Sequence, residues 1–259
     1  MGQLEAFPLK ILNHHPFRHK GTAHAIGRAL CEDGNYYIVK ANTPLEGDIC
    51  ATEWVGNSIA DSLKLPTATV EILQMKDGEL VIGSLEIRPR LADIEVSQFL
   101  TGRTMNDLFV PRLVESLSSA YALDLAIGNA DRHECNFVIQ VDGQDETAQR
   151  YGTLSVIDFS SADILNPTKR PMPFPRESNT RRAGRLIRAA HGFVQDSAQE
   201  TLSRLSEGRG FILDRALIGL PKEWLPESGR DYLRNWMLGS SFTDRLERIE
   251  SGLKNGSYL

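Results

Sequence analysis

The sequence predicts an α+β fold in two lobes, a small β-rich N-terminal lobe with one helix and a larger, mainly helical C-terminal lobe. Three observations predict it. Runs rich in aromatic and β-branched residues crowd the chain before residue 88, whereas apolar residues at three- and four-residue steps dominate the region after residue 185. Between them lie two polar, carboxylate-bearing segments, 128–137 and 156–160. The boundary drawn from this pattern separates 1–88 from 89–259.

The N-terminal elements follow in order. Lys20-Gly21-Thr22-Ala23-His24-Ala25-Ile26-Gly27 precedes a strand over 25–31 and offers backbone amides to a phosphate, although it is not a Gly-x-Gly-x-x-Gly run. A Gly-x-x-x-x-Gly-Lys-Ser/Thr loop is absent as well, which removes the P-loop reading. The turn Glu32-Asp33-Gly34-Asn35 leads into a strand over 35–40 that ends at Lys40. Thirteen residues later Glu53 lies within 49–63, where apolar positions recur at helical spacing. Pro66 closes that helix region, and strands over 68–73 and 80–87 flank the turn Lys76-Asp77-Gly78-Glu79. Helices are expected at 114–126, 185–193, 197–206, 211–218 and 232–252, with 256–259 as a frayed tail. Trp224 and Trp236 read as core or lobe-surface anchors.

The two polar segments carry the chemistry. Gly128-Asn129-Ala130-Asp131-Arg132-His133-Glu134-Cys135-Asn136-Phe137 places a carboxylate and a carboxamide five positions apart, and Val156-Ile157-Asp158-Phe159-Ser160 adds a carboxylate at the end of an apolar strand. Phosphoryl transfer needs a hard cation against the phosphate oxygens, and Mg2+ takes oxygen ligands. Asp158 and Asn136 can supply them, leaving Asp131 to orient an acceptor hydroxyl and take its proton.

This arrangement resembles the protein-kinase-like superfamily, and the Gly-Asn-x-Asp-Arg-His-x-x-Asn run is similar to HipA-like bacterial kinases and to phosphoinositide kinases. The compact chain looks more like the HipA-like group, with the resemblance carried by residues 20–160. It implies that Lys40 holds the α- and β-phosphates of ATP, that Glu53 orients Lys40, and that Gly21 and Thr22 lie in the phosphate-covering loop. Glu86-Ile87-Arg88-Pro89 falls where kinases join their lobes, so Glu86 and Ile87 would meet adenine through backbone groups. ATP and Mg2+ are the implied cofactors, and the implied reaction is transfer to a protein serine or threonine, with a toxin role and an antitoxin or separately encoded N-terminal module as partner. Thr22 is a candidate site of self-phosphorylation. Two alternatives stay open: a phosphoinositide or small-molecule kinase, and a non-catalytic nucleotide-binding pseudokinase. Ser160 stands where many kinases have glycine, which puts the usual activation-loop switch in doubt.

Other features are weighed against blander readings. Cys31, Cys50 and Cys135 form no Cys-x-x-Cys pair, so zinc has little support, and His133 reads as a hydrogen-bonding brace for the catalytic loop. His14, His15, His19 and His24 read as a polar surface segment before a metal site. The stretch 169–182 is rich in arginine and proline, and Arg170, Arg176, Arg181 and Arg182 either attract an acidic macromolecule or are ordinary surface arginines. The formal net charge of −5 argues against general nucleic-acid binding. No apolar run approaches the ~20 residues that span a bilayer, and Met1 to Lys10 lacks a signal-peptide core. Unpaired cysteines agree with a reducing compartment, so a cytoplasmic location is expected.

Overall fold

Alternating burial along the N-terminal strands closes a barrel. In the computed structural model, which describes residues 7–17, 24–44, 48–103, 107–167 and 174–259, β1 (Leu9–Pro16), β2 (Ala25–Cys31), β3 (Tyr36–Lys40), β4 (Val70–Gln74) and β5 (Leu80–Leu85) pair in the order β1-β2-β3-β5-β4. A parallel β1–β4 pairing completes the ring. Every second residue of β2 faces inward, and Ala29, Cys31, Tyr37, Val39, Leu73 and Val81 fill the interior as their period of two requires. The Lys40 strand and the two strands around residues 76–79 lie where the sequence puts them; β1 carried no sequence expectation.

The helix α1 (Ile49–Ser62) packs outside the barrel, and its buried Cys50, Ala51, Val55 and Ile59 join the same core as the C-terminal helices. It is pinned from that side too, since the Trp54 indole donates to the Ala216 carbonyl at 3.0 Å. After α2 (Asp93–Leu100) the chain forms β6 (Leu108–Phe109), α3 (Leu113–Ile127), β7 (Phe137–Gln144) and β8 (Arg150–Val156), the strands pairing as β6-β8-β7. The helices α4 (Asn179–His191), α5 (Gln195–Leu217), α6 (Glu227–Leu238) and α7 (Ser240–Lys254) follow. Buried from Leu117 to Ile127 except at Ser119, α3 is the axis of this part. The segment after α1 is tied to β8, where Val156 N–H donates to Pro66 O at 2.7 Å, and the segment after β5 is tied to β7, where Leu91 N–H donates to Ile139 O at 3.0 Å.

Four helical expectations are corrected. The segments 197–206 and 211–218 are one helix, α5, despite Gly208 and Gly210. Leu202 and Leu205 before the glycines and Ile212 and Leu213 after them are buried in one core, which outweighs the cost of about 1 kcal/mol per helical glycine. Conversely, 232–252 is two helices, because the chain turns extended at Gly239, where an added Cβ would lie 2.6 Å from the Asn235 carbonyl oxygen. The helix expected at 185 begins at Asn179, with the Ser178 hydroxyl accepting from Arg181 N–H at the N-cap. The tail is docked: Tyr258 is buried, the Tyr121 hydroxyl donates to its carbonyl, and Arg181 Nη2 donates to Ser257 O at 2.6 Å. Among the described residues, no helix is long and apolar enough to cross a membrane.

Candidate active site

The turn after α3 is built around a buried charge. Asp124 lies in the apolar helix run Leu123-Asp124-Leu125-Ala126-Ile127, fully buried, where an unpaired carboxylate would be prohibitively costly. Arg132 meets it with a two-pronged pair, Nε to Oδ2 at 2.8 Å and Nη2 to Oδ1 at 2.9 Å. Its Nη1 donates to the carbonyls of Asn136, at 3.1 Å, and Ile157, and the guanidinium packs over the rings of Phe137 and Phe159. One side chain thereby ties α3 to both motif segments. Gly128 permits the turn with φ +80°, at a point where an added Cβ would approach Asp163 Cβ to 2.9 Å. Thr180, from α4, closes the far side: it accepts from Arg132 N–H at 2.9 Å and donates to Asn129 O at 2.5 Å. The brace expected of His133 is made by Arg132.

Asp131 projects from this clamped loop, partly exposed, and its Oδ1 accepts from Asn179 Nδ2 at 2.5 Å. Asn136 sits one helical turn on, in the short 3-10 segment Glu134–Asn136, where its Nδ2 donates to Asp131 O at 3.1 Å. That bond leaves the Asn136 side-chain oxygen without a hydrogen-bond donor among the described residues.

A second cluster gathers at the open end of the barrel. Lys40 Nζ lies 3.0 Å from Glu53 Oε2 and 2.6 Å from Asp158 Oδ1. Glu53 Oε2 also accepts from Phe159 N–H at 2.8 Å, so one carboxylate sets both the lysine and the backbone after Asp158. Gly56 on α1 makes room for this, since an added Cβ would fall 2.5 Å from Phe159 Cβ. Asp158 itself has φ +63°, an uncommon conformation for a residue other than glycine. Ser160 Oγ donates to Asp158 Oδ1 at 2.6 Å and is hydrogen-bonded to His24 Nδ1 at 2.8 Å. Burial works to raise the Asp158 pKa, but Lys40, Ser160 and Arg132 outweigh it and hold the group below the usual carboxylate range. Burial likewise works to lower Lys40, and the charges of Glu53 and Asp158 turn the net direction upward.

The cluster opens into a cavity of about 310 Å³ with apolar walls that include Ala25, Ile38, Ala68, Val138 and Ile157. Lys40, Asp158, Glu86 and Ile87 line it too. The Glu86 N–H is committed to Tyr36 O at 2.8 Å, and its carboxylate is taken by Arg28 and Arg88. Ile87 N–H has no partner among the described residues, which makes it the freer of the two backbone groups for a ligand in the cavity. Gly21, Thr22, His19 and Arg170 lie outside the described residues.

The residues fit a magnesium–nucleotide. Asp158 is ionised and shares only Oδ1 with Lys40 and Ser160, so Oδ2 and the Asn136 side-chain oxygen remain as two hard-oxygen donors. Among the described residues, no group of three or more His, Cys, Asp or Glu side chains could hold a metal ion. The sequence missed Asp124, Arg132, Thr180 and Asn179. Its one available signal was Asp124, a charge inside an apolar helical run.

Neither a protein-family model nor a curated protein matches the chain. Solved structures do: the Helicobacter pylori proinflammatory kinase CtkA aligns at 13% identity with a TM-score of 0.61, over 96% of this chain and 99% of that one. The chain has a kinase-like fold. The kinase-like fold is shared with HipA of the Shewanella oneidensis MR-1 toxin–antitoxin complex with HipB and operator DNA, at 16% identity and a TM-score of 0.52, over 98% of this chain and 66% of that one. The N-terminal 618-residue fragment of Legionella pneumophila LepB is similar over 84% of this chain and 45% of its own, at 14% identity and a TM-score of 0.51.

Proposed function

We propose that the chain is an ATP-dependent, Mg2+-requiring kinase of HipA-like type that transfers the γ-phosphoryl group to a serine or threonine of a protein. The observation that carries this reading is the cluster in which Glu53 fixes both Lys40 and the backbone after Asp158 at the floor of an apolar cavity. In this reading 1–88 and 89–259 are two lobes, with the cavity at their junction. Lys40 exchanges Asp158 for the α- and β-phosphates, and Glu53 keeps the ammonium aimed. Asp158 and Asn136 would hold the metal, which would supply charge neutralisation on the phosphate oxygens. Asp131 orients the acceptor hydroxyl and takes its proton as the new P–O bond forms and the bond to ADP breaks. Ile87 N–H and Glu86 C=O face the base, and Gly21 and Thr22 cover the phosphates. A toxin role with an antitoxin partner is carried over from HipA alone, and copurification of a partner encoded beside this chain tests it.

The deciding experiment incubates wild type and Asp158→Ala with Mg2+ and γ-labelled ATP, using a lysate as acceptor. Label on a discrete protein, absent with the variant, supports the reading. Label confined to lipid or small-molecule fractions replaces the acceptor class, and nucleotide binding without transfer replaces catalysis by a binding role.

A further inference from the structure

We infer that the exposed face of α4 is the docking surface for an acidic peptide segment of the phosphoryl acceptor; this rests on the kinase reading and names the substrate class of that site. The helix reads Asn179-Thr180-Arg181-Arg182-Ala183-Gly184-Arg185-Leu186-Ile187-Arg188-Ala189-Ala190-His191, with four arginines and no carboxylate in a chain of net charge −5. Arg181 is spent on structure: it is buried, donates to Phe174 O and Ser257 O, and packs against Tyr258. Arg182, Arg185 and Arg188 remain at three-residue steps, so they form one oblique ridge on the helix. Arg176 joins them, since its carbonyl accepts from Arg185 Nη1 at 2.9 Å.

This ridge works against the helix that carries it. Neighbouring like charges on a helix repel, and the first turn, where the helix dipole favours anions, holds Arg181 and Arg182 with no acidic residue. Among the described residues, none of Arg176, Arg182, Arg185 and Arg188 makes an ion pair, whereas Arg28, Arg90, Arg150, Arg204, Arg215 and Arg234 all do. A row of uncompensated guanidiniums is complementary to carboxylates arriving from outside. Its position supplies the second observation, because the same helix begins at Asn179, which bonds to Asp131 at 2.5 Å. A chain laid along α4 with its carboxylates on the ridge therefore leads to the carboxylate that would receive the acceptor proton. The outward face of α4 has no aromatic side chain on which bases could stack, which favours a peptide over single-stranded nucleic acid.

The test measures binding of two fluorescent peptides that share a central serine, one flanked by glutamates and the other by lysines, to the full chain with Mg2+ and a non-hydrolysable ATP analogue. The glutamate peptide binds more tightly, its affinity falls as salt rises, and the double reversal Arg182→Glu/Arg188→Glu weakens it on the order of tenfold. Arg204→Glu/Arg215→Glu, an equal charge change placed on α5, has no such effect. Because Arg182 and Arg188 are exposed, the reversal is compatible with folding, and Arg182→Gln/Arg188→Gln gives a smaller loss in the same direction. Equal binding of both peptides, or an equal loss with Arg204→Glu/Arg215→Glu, overturns the docking surface. So does single-stranded RNA that binds more tightly than the glutamate peptide and loses affinity on the reversal. Peptide binding that responds as expected while wild type transfers no label from ATP to any acceptor overturns the kinase reading and the acceptor role, but leaves the anionic-peptide surface standing.

Discussion

The loop after α3 and the lysine cluster are both buried ionic assemblies, yet they are built to opposite ends. In the loop, Arg132 and Asp124 satisfy each other through two parallel bonds, and the remaining guanidinium donors end on backbone carbonyls. The proposed chemistry uses neither Asp124 nor those backbone carbonyls, so none of these bonds has to break for a reaction to occur. In the cluster, Asp158 Oδ1 accepts from both Lys40 and Ser160, and its side chain keeps 19% of its surface exposed to the cavity. Those bonds are exchangeable for phosphate and metal. On the proposed function, the acceptor side is thus organised before nucleotide arrives, whereas the phosphate side stores its charges against one another until then.

The largest test of this contrast is stability. Arg132→Ala leaves Asp124 buried without a counter-ion, which costs about 3–5 kcal/mol. Lys40→Ala removes a buried charge too, but Asp158 keeps its opening to solvent and Glu53 keeps the Phe159 N–H, so its cost falls below that of Arg132→Ala. Urea unfolding of the two variants compares them directly. A loss for Lys40→Ala equal to or above that for Arg132→Ala would erase the distinction.

Acid is the second, smaller probe. Asp158 is held below its unfolded value of about 3.9. Its contribution to stability is therefore complete above roughly pH 4 and is lost as the pH falls towards the folded value. Lys40 has the opposite sign: its raised pKa contributes fully below its unfolded value, near 10.4, and that contribution fades as pH climbs past it. Wild type should lose more urea resistance than Asp158→Asn between about pH 5 and pH 3. Parallel curves for the two proteins would show that the ion pair does not survive in solution.

The same contrast explains what the sequence could reveal. Lys40, Glu53, Asp131, Asn136 and Asp158 could be singled out because the proposed chemistry demands fixed residue types on fixed element types; the structure brings Lys40 against Glu53 and adds a Lys40–Asp158 contact that the spacing did not foretell. Asp124, Arg132, Thr180 and Asn179 serve by holding other groups, a role many residue types can fill, so apart from the charge of Asp124 within an apolar run nothing in the sequence pointed to them. Arg181 shows the converse. Read as surface charge beside Arg182, it is a buried strut, because only the folded tail at Ser257 and Tyr258 reveals what covers it. The helix errors have a similar origin: Gly208 and Gly210 resemble breaks locally, and the core on both sides of them overrides that signal.

The smallest expected effect lies at Ser160, where glycine would be the commoner residue. Its hydroxyl donates to Asp158 Oδ1 and is bonded to His24, the residue just before β2. A metal ion that takes Asp158 competes with that donor, so Ser160→Ala should lower the Mg2+ concentration for half-maximal label transfer. The acceptor is charged, but Asp158 keeps an opening through which water can replace the lost donor, so the effect stays near the ordinary range of about 0.5–1.5 kcal/mol, a shift of roughly twofold to tenfold. Titrating Mg2+ at saturating ATP for wild type and Ser160→Ala measures it. A higher Mg2+ requirement in the variant would mean that Ser160 aims the carboxylate at the metal instead of withholding it. The lysine cluster would then be as preorganised as the loop after α3, and the contrast between the two assemblies would rest on Lys40 alone.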